Sequence, residues 1–194
     1  MPKGRDDGLM WEFQLWANLP ASHKMMAPRY REVHGSQIPE VVYENGIRVK
    51  IICGEERGTL GPVRDIVTDP EYLDVTLPAN TTFSRPTKAG HTVFAYVIGV
   101  NAIFDRGEDP DAIPVEGANY FDFRREYLIG SECCVLYEDG DSVEITAGDD
   151  GARFRFVSGR PIGKPIAWYG PIVMNTQEEL RVAFEEYRNG TFTT

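Results

Sequence analysis

The chain has 194 residues, 42% of them hydrophobic, enough to bury one core with an extension but too little for two full domains of ordinary size. A formal net charge of −10 disfavours direct binding of nucleic acid or an anionic membrane, since both need clustered lysine and arginine. Cys53 and the adjacent Cys133 and Cys134 cannot form a disulfide framework, because three thiols cannot all pair and neighbours rarely bridge. With no apolar leader and no apolar run of bilayer length, these features predict a cytoplasmic, non-membrane protein.

Residues 1–8 are polar and glycine-containing and read as a loose arm. Residues 9–20, LMWEFQLWANLP, crowd Trp11, Phe13, Leu15 and Trp16 into a rough alternation that predicts a strand needing cover on one face. An uncovered edge of this kind is an association site, so the expected partner is a second copy or another chain, bound through this arm. Residues 21–33 read as a surface linker carrying Met25, Met26 and Tyr30, with His23 and the nearby His34 as solvated loop histidines.

Strands are predicted at 47–53, 72–77, 93–98, 102–104 and 133–136, and the turn in 139–148 leads into another. Phe154 and Phe156 alternate with Arg153 and Arg155, a half-buried strand whose arginines pair with nearby carboxylates. Residues 106–118 are acidic and rich in breakers. Glu108, Asp109 and Asp111 invite a calcium reading, but the glycine and ligand spacing of an EF-hand loop is absent, so a solvated loop is expected. In 120–127, Phe121 and Phe123 are expected to face the core and Arg124 and Arg125 the solvent. Short strands with regular breaks, and no internal repeat, predict an all-β sandwich or barrel, for which a jelly roll is the natural form.

The chain closes on one helix. Pro161, Gly163, Pro165 and Gly170-Pro171 leave only short extended pieces before it. Thr176 followed by Glu179 makes a capping box, a role that Asn175 can share. Leu180, Ala183, Phe184 and Tyr187 share one face, Arg181 and Glu185 are spaced for an ion pair, and Gly190 stops the helix.

Chemistry is sparse. No G-x-S-x-G elbow is present, and three scattered histidines give the cysteines no defined partner. GEERGTLG at 54–61 lacks phosphate-loop spacing and reads as turn. His91, just before a predicted strand, reads as a loop or strand-edge histidine and is the single candidate for a pocket residue. No catalytic, cofactor-binding or metal residue is assigned.

GKPIAWYGPIVMNTQEELRVAFEEYRNGTF at 163–192 resembles the closing signature of the pirin family, and FQLWANLP at 13–20 resembles its mid-chain signature. DPEYLDVTLP, HTVFAYVIG and GDSVEITAGDDGARFRFVSG are similar to that family's second half. The resemblance implies a cupin-type jelly-roll barrel with an N-terminal extended arm and one C-terminal helix. The implied division is 1–35 as arm and linker, 36–174 as barrel, and 175–194 as a helix and tail packed on the barrel. Pirins are bicupins whose first half holds iron through an H-x-H pair, a later His and a Glu in H-x-E-M-P. Met1-Pro2 resembles the end of that last motif, so a truncated or split pirin, or a late start on a longer gene, is expected. The stretch 78–98 offers one histidine and no acid, and 138–158 offers no histidine, so no iron is expected on this chain. The resemblance therefore implies a metal-free binding or structural module. Its alternatives are part of a quercetin 2,3-dioxygenase-like iron enzyme whose metal-bearing half is missing or separate, and a regulatory protein that binds a transcription or metabolic partner.

Overall fold

Alternating burial along one strand of 18 residues organises the fold. The computed structural model describes residues 12–104 and 128–192. The readings of residues 1–8, Trp11, the acidic loop with Glu108, Asp109 and Asp111, and the segment 120–127 lie outside the described residues. The chain divides into two compact units, one of Pro28–Pro161 and one that joins Met1–Ala27 to Ile162–Thr194.

In the larger unit the strands are β1 (Glu40–Val42), β2 (Arg48–Cys53), β3 (Glu55–Glu56), β4 (Thr59–Leu60) and β5 (Glu71–Leu77). They are followed by β6 (Thr82–Pro86), β7 (Thr92–Phe104), β8 (Cys134–Tyr137) and the long β9 (Ser142–Gly159). One sheet runs β1-β2-β5-β9-β7-β8, with β6 also paired to β9, and β3 and β4 form a separate hairpin. Among the described residues these strands pair antiparallel, and an isolated parallel bridge joins Cys53 to Val63.

β9 buries Val143, Ile145 and Ala147, then Ala152, Phe154, Phe156 and Ser158, so its inward phase changes from odd to even positions partway along. The change falls at Gly151, where φ is 83° and a Cβ would sit 2.7 Å from the Leu77 carbonyl oxygen; only glycine fits. β7 changes phase at the same level: Val93, Ala95 and Val97 point inward before it, Ala102 and Phe104 after it, with Val100 at φ 55°. Two strands predicted at 93–98 and 102–104 are thus one strand bent at a pair of bulges. At this corner β9 exchanges β6, its neighbour over residues 142–146, for β5, its neighbour over residues 152–158.

The core is built in rungs. Val49, Val75, Phe154 and Val97 form one, and Ile51, Leu73, Phe156 and Ala95 the next, all of them buried. Phe83 and Phe104 pack on Phe154 at ring separations of 6.2 and 5.8 Å. Each buried side chain of this size contributes about 1.5–3 kcal/mol. The following rung is Glu71, Ser158 and Val93, where the interior turns polar.

In the smaller unit, β10 (Ala167–Tyr169) and β11 (Ile172–Met174) form a hairpin around Gly170-Pro171. α1 (Gln177–Asn189) begins with the predicted box: Thr176 Oγ1 accepts from the Glu179 amide at 3.2 Å, and the Glu179 carboxylate accepts from the Thr176 and Asn175 amides at 2.9 and 3.0 Å. The Asn175 side chain instead donates to the Pro165 carbonyl. Leu180 and Ala183 bury against Ala167, Ile172 and Met174, with Phe184 beside them. Tyr187 stays 59% exposed. Gly190 ends the helix in the left-handed conformation.

Residues 12–20 correct one expectation: they form no strand. A strand is held by a neighbour's hydrogen bonds, and this segment is instead tied down by polar side chains. Lys24 Nζ donates to the Val173 carbonyl at 2.8 Å and also reaches the Asn18 side chain.

Candidate functional site

The polar end of the β-core gathers side chains from five parts of the larger unit. On β6, Phe83 and Arg85 share the inward phase, so the register that buries the ring also buries the guanidinium. Arg85, Glu71 and Glu56 are each less than 9% exposed. Arg85 donates through one terminal nitrogen to Glu71 Oε1 at 2.8 Å and to the Glu55 carbonyl at 3.0 Å, and through the other to Glu56 Oε2. Ser158 Oγ donates to the second Glu71 oxygen at 2.8 Å, and Tyr43 Oη donates to the second Glu56 oxygen at 2.6 Å. Burial and the Glu56 carboxylate push the Tyr43 phenol up to about 12, which keeps it a proton donor. The Arg57 guanidinium lies 3.7 Å above the Tyr43 ring, and that of Arg85 lies 5.5 Å from the Phe156 ring.

His91 belongs to the same end by phase, two residues before the inward-facing Val93. It lies in the loop one residue before β7, is 8% exposed, and its Nδ1 has no hydrogen-bond partner among the described residues. Its amide closes the Lys88 turn at 3.0 Å. His23 and His34 are exposed, as expected.

These residues do not fit an iron site. Such a site needs three or four nitrogen and oxygen ligands around an open position, whereas the two carboxylates here already share a guanidinium. No group of three His, Cys, Asp or Glu side chains suited to a metal occurs among the described residues.

Two other concave features lie elsewhere. On the outer face of the sheet, a cavity of about 200 Å³ is lined by Lys50, Ile52, Tyr72, Asp74 and Arg155. Burial alone would raise the Asp74 pKa, but the hydrogen bonds and charges of Arg153 and Arg155 outweigh it and hold the group below its ordinary value. Arg153 grips that carboxylate at 2.7 and 3.0 Å, so the arginines pair with an acid as expected. Within the smaller unit, a groove of about 440 Å³ lies between Trp168, Tyr169, Leu180 and Phe184. All three cysteines are free, Cys53 buried and Cys133 and Cys134 exposed.

The expected contact residues Phe13, Leu15 and Trp16 are 38, 44 and 56% exposed, and Trp11 lies outside the described residues. The inward network of Arg85, Glu56, Glu71, Ser158 and Tyr43 was not anticipated. Its signal was phase: Glu71 alternates in step with Leu73, Val75 and Leu77, and Arg85 in step with Phe83.

Residues 72–193 match the Pirin C-terminal cupin domain. A Caulobacter vibrioides pirin-like protein is 36% identical over 193 residues, covering 99% of this chain and 62% of the relative. A Thermoplasma acidophilum protein with a provisional quercetin 2,3-dioxygenase name is 32% identical over 187 residues, covering 92% and 64%. Among solved structures, a quercetin 2,3-dioxygenase from Acinetobacter baumannii superposes with a TM-score of 0.73 at 22% identity, covering 92% of this chain and 56% of that one, which establishes the cupin fold. The chain spans about three fifths of the length of the curated relatives it matches.

Proposed function

This chain belongs to the pirin family, and from that premise we propose that it acts as a binding and structural cupin module rather than as an iron-dependent oxygenase in its own right. The observation that supports this reading is the Arg85 guanidinium set between Glu56 and Glu71: the polar end of the core supplies its own cation. The test is metal content per chain, after purification without chelators and with iron(II) in the growth medium. A ratio near zero supports the module; about one iron, zinc or nickel per chain, as a single occupied site requires, refutes it.

A second reading is part of a quercetin 2,3-dioxygenase-like enzyme, favoured by the Thermoplasma relative's name and by the share of such relatives that this chain spans. It predicts oxygen uptake with quercetin only when the rest of the relatives' length is supplied, on this chain or another. The exposed Phe13, Leu15 and Trp16 support self-association through the arm. Light scattering tests this: the double variant Phe13→Ser/Trp16→Ser is expected to lower the mass, and a wild-type monomer refutes it. The free thiols support a reducing, cytoplasmic setting. No helix among the described residues is long and apolar enough to cross a membrane.

A further inference from the structure

We infer that the polar end of the core is a carboxylate-binding site which the chain closes with its own Glu56. The inference rests on the binding-module reading and adds the ligand class, a small carboxylate. Metal analysis tests that reading, and the experiment below does not depend on metal content.

The network has a fixed half and a replaceable half. Glu71 and Ser158 face each other across paired β5 and β9, and with Arg85 on β6 they hang on the main sheet. Arg85 and Glu71 already balance in charge. Glu56 brings a second buried negative charge to one guanidinium, and burying a charge in excess of its partners is costly. Glu56 also rides on a short element: the β3–β4 hairpin pairs two residues per strand, forms its own sheet, and turns through Arg57 and Gly58 at φ 47° and 78°. Glu55, Arg57, Gly58 and Leu60 on that hairpin are exposed, while Glu56 alone is buried.

What Glu56 meets is a set of donors suited to a carboxylate. A guanidinium N–H of Arg85 and the Tyr43 hydroxyl take one oxygen each. Arg85 Nε is buried with no partner among the described residues, so the guanidinium keeps a spare donor. When the hairpin swings out, Glu56 returns to water and a ligand carboxylate takes its two donors. The exchange leaves the charge of the site unchanged, so what favours Glu56 is its tether, which keeps its effective concentration high, together with the Glu55 carbonyl and Arg57 contacts that the hairpin makes beside it.

The test uses the full chain, acetate as probe and chloride at equal ionic strength as reference. In Glu56→Ala, acetate at tenfold its half-saturating concentration is expected to raise the melting temperature by about 4 °C, saturably, while neutral acetamide does not. Wild type should respond only at higher acetate. A folded Glu56→Ala chain that responds alike to acetate, chloride and acetamide overturns the inference. Hydrogen exchange on wild type decides independently of that variant's folding: the amides of 55–60 are expected to exchange at least about tenfold faster than those of β5 and β9, and faster still in acetate. Protection equal to that of β5, unmoved by acetate, overturns it.

Discussion

Removing Arg85 tests the electrostatic argument directly. Arg85→Met keeps much of the buried stem and deletes the guanidinium, leaving Glu56 and Glu71, each under 9% exposed, facing each other without a cation. Breaking a buried pair in this way costs about 3–5 kcal/mol. At a urea slope of about 2 kcal/mol/M, the unfolding midpoint should fall by about 2 M. The signal must come from the larger unit, and far-UV circular dichroism of the sheet provides it. Tryptophan fluorescence does not, since the described tryptophans, Trp16 and Trp168, belong to the other unit. Neutralising both acids as well, in Arg85→Met/Glu56→Gln/Glu71→Gln, should recover most of the loss, because no unpaired charge then stays buried. A midpoint for Arg85→Met within about 0.3 M of wild type would refute the account. A triple variant as unstable as the single would assign the loss to packing against Phe156 instead.

Asp74→Asn should destabilise the chain near neutral pH. Because Arg153 and Arg155 depress the folded pKa, the wild-type advantage is full above the unfolded value of about 3.9 and disappears as pH falls through the lower folded value; urea titrations in which the gap stays constant between about pH 5 and pH 2 would contradict this. Thr176→Ala removes the helix cap and should cost the smaller unit about 1 kcal/mol, read by Trp168 fluorescence on urea titration. Maleimide should label Cys133 and Cys134 in the native chain but Cys53 only on unfolding, because Cys53 is buried and burial pushes its thiol up; mass spectrometry of native and unfolded samples gives the order.

The strands and helix were legible because their evidence is local. Alternation marked the run from Val49 to Cys53 and the one through Phe154 and Phe156, and Thr176 with Glu179 fixed the helix start. The arm misled for a physical reason. Trp11, Phe13, Leu15 and Trp16 alternate as strand residues do, but a strand exists only where another backbone accepts its hydrogen bonds, and alternation alone supplies no partner. The corner at Val100 and Gly151 was invisible because it depends on two bulges meeting at one level, between residues about fifty apart in sequence. The polar network was hidden because a search for metal ligands looks for histidine and acid in motif spacing. Arg85 answers to no such motif, and its partners come from a hairpin, a neighbouring strand and a strand much later in the chain.

Phase was the signal for that network, and it has a chemical consequence. A charged residue in step with core residues must find its countercharge inside the fold or unfold it. Glu71 and Arg85 both hold inward phase at the same end, so their pairing follows from register alone and persists while β5, β6 and β9 stay paired. A cation carried on a side chain cannot dissociate as a metal ion can, so the Glu71 charge stays compensated whatever occupies the donors that Glu56 uses. Permanent compensation rests on the main sheet, and the contact that can exchange rests on a four-residue hairpin pairing outside it. That separation lets a buried, charged end of a β-core take up and release an anionic group without losing the core beneath it.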